Sequence, residues 1–371
     1  RTAPRTETGR LSEERAGALF FDLGGRIAAT LAQLGAAGSV AAGCSAKQSV
    51  WSRGKTTLYR YLPLSAGDGP PLPGRSKRAP APVLICFALV NRPYVLDLQP
   101  DASLVRRLLE AGLTVYLIDW GEPDESDHGR DLEHYLEDAL GGCVRHVRAA
   151  HATDGVNLLG VCQGGVLSLC YTALHPQHVR NLITLTTAVD FQTPDDLLSR
   201  WVRGVDTHLL EQCGNVPGAV LNALFLSLMP FRLTQQKYVR LLLGGADQRA
   251  VDEFVRLERW IFDSPPQAAA ALTQYVRWFY QENRLARGTL EIGGRRVDLR
   301  RIRQPLLNLY ASADHIVPAQ ACALMERHVG SRDYTACAID TGHIGMYVSR
   351  RARTAIPARI IDWLRERAWP R

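Results

Sequence analysis

The sequence predicts a doubly wound, mostly parallel α/β sheet carrying an inserted helical cap. Three observations carry that reading. Short apolar runs alternate with stretches of helical periodicity between Val83 and Val189, the alternation stops for more than a hundred residues after Asp190, and it resumes at Leu306. Parallel strands buried on both faces read as unbroken hydrophobic runs, and repeated strand–helix–strand units wind into such a sheet. A chain of 371 residues fits one large domain with an insertion, or two domains.

The elements follow in order. Residues 1–56 read as an N-terminal helical region, because Ala16, Leu19, Phe20, Leu23, Ile27, Leu31 and Leu34 fall on one helical face. The uncharged stretch from Ile27 ends in Ala41-Ala42-Gly43-Cys44, which also weakly resembles a lipoprotein cleavage site. The core spans 57–190 and 304–371, beginning with a strand over Thr57–Leu62 and a loop rich in Pro, Gly and Arg over Ser65–Pro82. Strands are predicted at Val83–Val90, Leu113–Ile118, Val156–Val161 and Leu182–Val189, with helices at Ser103–Ala111, Leu132–Val147 and Gly164–His175 between them. Residues 191–303 form the cap, helical and aromatic-rich. Beyond it come strand Leu306–Ala311, helix Ala319–His328, strand Tyr334–Ile339 and a last helix starting at Pro357, since proline suits a first helical turn.

Composition excludes several classes. With 46% hydrophobic and 22% charged residues the chain is neither disordered nor fibrous. Its longest apolar run, Val83–Val90, falls far short of the roughly 20 residues of a membrane-spanning helix. The net charge of +7 comes from an arginine-rich basic set with only four lysines. Arg295, Arg296, Arg300, Arg301 and Arg303 cluster, but no nucleic-acid-binding motif accompanies them, so a nucleic acid is not an expected partner. They read as a solvated face or as a contact for the phosphates of a cofactor-like substrate. The eight cysteines include no C-x-x-C pair, which suggests neither a metal site nor a disulfide framework, and fits free thiols in a reducing cytosol.

Chemistry concentrates after Val156–Val161. Gly160-Val161-Cys162-Gln163-Gly164-Gly165 places a nucleophile between small residues on a strand-to-helix turn, the arrangement that lifts a side chain above a sheet. Here the central residue is a cysteine, whose thiolate is the nucleophilic form and is favoured by a helix N-terminus and a nearby histidine. In this arrangement an acid and a histidine follow the nucleophile in chain order, each after a later strand. Asp314 follows Leu306–Ala311 and His343 follows Tyr334–Ile339, so Cys162, Asp314 and His343 form the candidate triad. The oxyanion donors are expected at the Gln163 amide and, in the loop leaving Val83–Val90, at the Val90 amide.

With these residues in hand, the segments FALVNRPYVLDLQP, VYLIDWGEPD, NLLGVCQGG, ALHPQHVRNL, VDFQTPDDLLSRWV, ERWIFDSPPQA, ADHIVP and GHIGMYVS resemble the catalytic subunit of a class III, two-subunit, short-chain polyhydroxyalkanoate synthase. The similarity runs from about Tyr59 to the C-terminus. Thr341 departs from the family pattern, which usually has glycine there, and the first fifty residues match poorly. The resemblance implies an α/β-hydrolase fold that polymerises (R)-3-hydroxyacyl-CoA, chiefly 3-hydroxybutyryl-CoA, with Cys162, Asp314 and His343 catalytic. It implies no cofactor and no metal, the CoA thioester being the substrate. The partners it implies are a second synthase subunit and the nascent polyester granule. It further implies a homodimer or larger hetero-oligomer, cytoplasmic, at the granule surface. A cysteine-dependent hydrolase of the same fold, such as a thioesterase or a dienelactone-hydrolase-like enzyme, is the alternative the triad alone would serve, and a non-catalytic granule protein is a third.

Overall fold

Val83–Cys86 and Val156–Val161 lie side by side in parallel, every residue of both buried, which is why their sequences show no polar alternation. They are the centre of an eight-stranded sheet in the computed structural model, which describes residues 43–64, 81–212, 214–228, 237–243 and 247–368. The strands are β1 (Lys47–Arg53), β2 (Thr56–Tyr61), β3 (Val83–Cys86), β4 (Val115–Asp119), β5 (Val156–Val161), β6 (Val179–Leu185), β7 (Leu306–Ala311) and β8 (Tyr334–Ile339). Their order across the sheet is β1-β2-β4-β3-β5-β6-β7-β8. Only β2 is reversed: it pairs antiparallel with β1 and β4, and all other neighbours are parallel.

The core helices are α1 (Leu104–Glu110), α2 (Gly141–Ala150, continuing a π-type segment His134–Leu140), α3 (Gln163–Leu174), α4 (Ala319–Ala323) and α5 (Arg350–Ala368). Helix α3 is buried along almost its whole length, so it is apolar all round rather than striped. Its hydroxyls turn inward onto the helix itself: Ser168 Oγ donates to the Gly164 carbonyl at 2.6 Å and Thr172 Oγ1 to the Ser168 carbonyl at 2.7 Å. The apolar core runs from Leu58 and Leu84 through Leu136, Val144, Leu158 and Leu167 to Phe279 and Met325. Within it, Asn181 donates to Asn157 and Thr184 to Asn308, so the buried polar groups of β5, β6 and β7 satisfy one another.

Three expectations need correction, and a fourth falls outside the described residues. Part of the N-terminal region expected to be helical, residues 47–53, is strand β1. It folds back on β2 through Gly54-Lys55, with Gly54 at φ 57, a left-handed conformation that glycine adopts without steric cost. The expected N-terminal helical face, Ala16 to Leu34, lies outside the described residues. Strand β3 stops at Cys86 rather than Val90, because the Phe87 and Leu89 carbonyls are taken by the side chains of Trp120 and Gln267. The last helix begins at Arg350 rather than Pro357: Ser349 Oγ accepts from the Ala352 amide at 3.2 Å, supplying a cap, and Pro357 lies inside the helix.

The chain divides into one compact unit of Ala42–Leu228 with Trp260–Arg371, and a second that includes Met229–Arg259. Most of the 191–303 cap therefore belongs to the unit of the sheet. It contributes helices Leu197–Val202, Gly218–Ser227 and Ala269–Tyr275; Leu198 and Val202 of the first, with Leu228 and Val276 just past the ends of the other two, form a satellite core against which Tyr280 and Ile316 pack. No helix among the described residues is long and apolar enough to cross a membrane.

Candidate active site

Cys162 stands at the turn between β5 and α3 with φ 54 and ψ −120, a backbone conformation that costs a non-glycine residue about 1–3 kcal/mol. Three hydrogen bonds hold it there. Its amide donates to the Leu185 carbonyl at 2.8 Å, and its carbonyl accepts from Gly165 at 3.0 Å and Val166 at 3.3 Å. The glycines that follow are demanded by contact: a Cβ on Gly164 would fall on the Cys86 and Phe87 carbonyl oxygens, and one on Gly165 on the Thr187 hydroxyl. The small residues of the motif thus let β3 and the loop after β6 close around the turn.

The structure brings all three triad candidates together. The Asp314 side chain is fully buried and divides its oxygens: Oδ1 accepts from the Ile316 and Val317 amides, both at 2.9 Å, and Oδ2 accepts from His343 Nδ1 at 2.7 Å. With one oxygen pinned by the backbone, the other is aimed at the imidazole, which leaves the other ring nitrogen for the Cys162 side chain. His343 is itself only 6% exposed. Burial alone would push its proton affinity down, but the Asp314 charge and hydrogen bond, joined by the hydrogen bond and charge of the Cys162 side chain, raise its pKa to about 10. The arrangement is a strong base tethered beside a thiol.

The two expected oxyanion residues also meet. The Val90 amide donates to Gln163 Oε1 at 3.3 Å, so the Gln163 side chain occupies the Val90 donor.

Two further residues stand in this neighbourhood that the sequence reading missed. Tyr347 lies edge-on to His343, ring centroids 6.0 Å apart at 82°, with its hydroxyl 3.4 Å from Thr186 Oγ1 and with Phe87 and Trp260 against its ring. Its spacing of four from the histidine, on one turn of the short helix Gly345–Val348, was the available signal. Asp196, 3% exposed, caps helix Leu197–Val202 through the Ser199 amide at 2.7 Å. Burial raises its carboxyl to about 6, and the Asp314 charge adds to the shift.

The basic cluster does not join the site. Arg295 pairs with Glu137, which also pairs with His175 at the end of α3 away from Cys162, and Arg300 pairs with Asp298. Among the described residues, seven cysteines are free thiols and no group of three or more His, Cys, Asp or Glu is placed to hold a metal ion.

A cysteine on a sharp turn after the fifth strand, an aspartate after the seventh and a histidine after the eighth have the arrangement of an α/β hydrolase. A family model for the alpha/beta hydrolase fold matches residues 81–349. Solved structures agree on the fold: a carboxylesterase of Nitrososphaera gargenis superposes with a TM-score of 0.52 at 14% identity, over 86% of this chain and 99% of that one. Sequence relatives narrow the class. The poly(3-hydroxyalkanoate) polymerase subunit PhaC of Allochromatium vinosum is 48% identical over 326 residues, 88% of this chain and 90% of the relative. That of Thiocystis violacea is 44% identical over 333 residues, 90% of this chain and 91% of the relative. The chain belongs to the PhaC family of poly(3-hydroxyalkanoate) polymerase subunits.

Proposed function

We propose that the protein polymerises (R)-3-hydroxyacyl-CoA, chiefly 3-hydroxybutyryl-CoA, into polyhydroxyalkanoate with release of CoA, by covalent acyl transfer on Cys162. The observation that carries this reading is the Cys162, His343, Asp314 arrangement in a chain whose relatives are poly(3-hydroxyalkanoate) polymerase subunits.

In the cycle, His343 takes the Cys162 proton and the thiolate attacks the thioester carbonyl. The Gln163 and Val90 amides receive the developing oxyanion once the Gln163 side chain gives way. The carbon–sulfur bond to CoA breaks, and the CoA sulfur leaves with the proton held on His343. Exchange of one thioester for another is nearly isoenergetic, so the acyl group stays activated; on a serine it would become an unactivated ester. The 3-hydroxyl of a second hydroxyacyl unit then gives its proton to His343 and attacks the acyl-Cys162 carbonyl. An ester forms, the carbon–sulfur bond to Cys162 breaks and its sulfur takes the proton back from His343; the lengthened acyl-CoA then reacylates Cys162 for the next addition. Asp314 keeps the imidazole in the tautomer both steps need.

Transfer to an alcohol outruns hydrolysis only where water is excluded. The helices of residues 191–228 and 260–303, with their satellite core, supply apolar material for that. The reading needs no cofactor and no metal, since the substrate carries its own activation. Its partners are a second synthase subunit and the growing polyester, with the protein at the granule surface in the cytoplasm as a homodimer or larger hetero-oligomer.

Product analysis tests it: the protein is incubated with (R)-3-hydroxybutyryl-CoA, with and without a candidate second subunit. Solvent-extractable polyester, absent from Cys162→Ala, is the expected result. Free 3-hydroxybutyrate without polymer would make the protein a thioesterase.

A further inference from the structure

The Val90 amide and the Leu89 carbonyl belong to one planar trans peptide, so they point in opposite directions and cannot be aimed separately. The amide faces Gln163 on the Cys162 side. The carbonyl accepts from Gln267 Nε2 at 2.8 Å, the shortest of that nitrogen's contacts, the others being the Pro265 and Pro266 carbonyls at 3.4 and 3.2 Å. Gln267 is 6% exposed and is fixed through its own backbone, which exchanges two 2.9 Å hydrogen bonds with Val216. The rest of its segment grips the same loop. Asn91 Nδ2 donates to the Trp260 carbonyl at 3.2 Å, Trp260 Nε1 donates to the Arg92 carbonyl at 2.7 Å, and Asp263 accepts from Arg92 Nε at 3.3 Å and from the Tyr94 hydroxyl at 3.1 Å.

We infer that Gln267 is a positioning residue for acyl transfer: by holding the Leu89 carbonyl it turns the Val90 amide toward the oxygen of the thioester bound at Cys162. Strand β3 ends at Cys86, so no ladder bond holds this peptide. Asn91 beside it sits at φ 58, a conformation the sheet would not impose. The strap 260–267 takes the place of the missing ladder. A donor misplaced by about 1 Å forfeits much of its effect on the transition state, of order tenfold to a hundredfold in kcat.

The inference rests on the acyl-transfer reading, and the test separates the two. Gln267→Met and Gln267→Glu keep the length of the side chain and remove the amide donor. For each variant and the wild type, CoA release from (R)-3-hydroxybutyryl-CoA in the presence of the second subunit gives kcat and KM. Alkylation of Cys162 by iodoacetamide, a displacement with no oxyanion, reports the nucleophile alone. The expected result is a kcat lowered about tenfold or more, with KM and the alkylation rate within twofold of wild type. A kcat within twofold of wild type overturns the role of Gln267, and so does a parallel fall in kcat and alkylation, which marks general damage to the site. A wild type that releases no CoA overturns the acyl-transfer reading and this inference with it.

Discussion

His343 Nδ1 donates to Asp314 Oδ2 at 2.7 Å while Asp314 Oδ1 is held by two backbone amides, so the carboxylate cannot turn away from the imidazole without giving up the turn that carries it. The division of labour between its oxygens makes Asp314 part of the loop's structure and part of the site at once.

Asp314→Asn separates those roles. The Asn Oδ1 keeps the Ile316 and Val317 amides, which forces Nδ2, a donor, against His343 Nδ1. The imidazole must then carry its neutral proton on Nε2, where it cannot accept from Cys162. CoA release should fall roughly 10³- to 10⁴-fold while thermal unfolding stays cooperative. A loss under tenfold would mean that Asp314 is not the orienting acid.

The strained turn at Cys162 predicts an exchange of stability against chemistry. Cys162→Gly removes the steric cost of φ 54 and should be about 1 kcal/mol more stable than Cys162→Ala, after the entropic cost of an added glycine. Denaturant titration of the two variants compares them directly. Equal midpoints would show that the turn stores no strain.

Asp196 predicts a pH signature. Its folded pKa of about 6 lies above the ordinary 3.8, so the native state binds a proton more tightly than the unfolded chain between those values. Its contribution therefore favours the fold below the lower value and is lost as pH rises through the upper one. Asn is as good a helix cap as Asp, so Asp196→Asn should melt higher than wild type at pH 7, with the gap closing toward pH 4. A gap that is flat across this range would mean that the carboxyl is not perturbed by burial.

Much of this was legible in the sequence, and the exceptions share physical causes. β5, β7 and β8 lie where the apolar runs placed them, residue for residue, because each is short and bounded by turn residues. The order Cys162, Asp314, His343 was readable because each follows a recognisable strand. β1 was hidden: KQSVWSR is exposed or half-buried throughout, so no apolar run marked it. The start of α5 was masked by Pro357, a strong local signal overridden by the Ser349 cap. Asp196 and Gln267 approach the site from distant segments through tertiary contacts, and nothing local to their sequences announces a role, whereas Tyr347 stands four residues after His343 and only that spacing pointed to it. The end of β3 could not be read for the same reason, since Gln267, which takes the Leu89 carbonyl, is 178 positions away in the chain.

The proposed polymerisation stands or falls on Cys162 carrying the growing acyl group. Rapid acid quench during turnover of (R)-3-hydroxybutyryl-CoA, followed by proteolysis and mass spectrometry, reads it without any variant. A 3-hydroxybutyryl or oligomeric adduct is expected on the peptide containing Cys162, labile to hydroxylamine as a thioester is. An adduct on another residue, or sustained CoA release with Cys162 unmodified at every quench time, would contradict it.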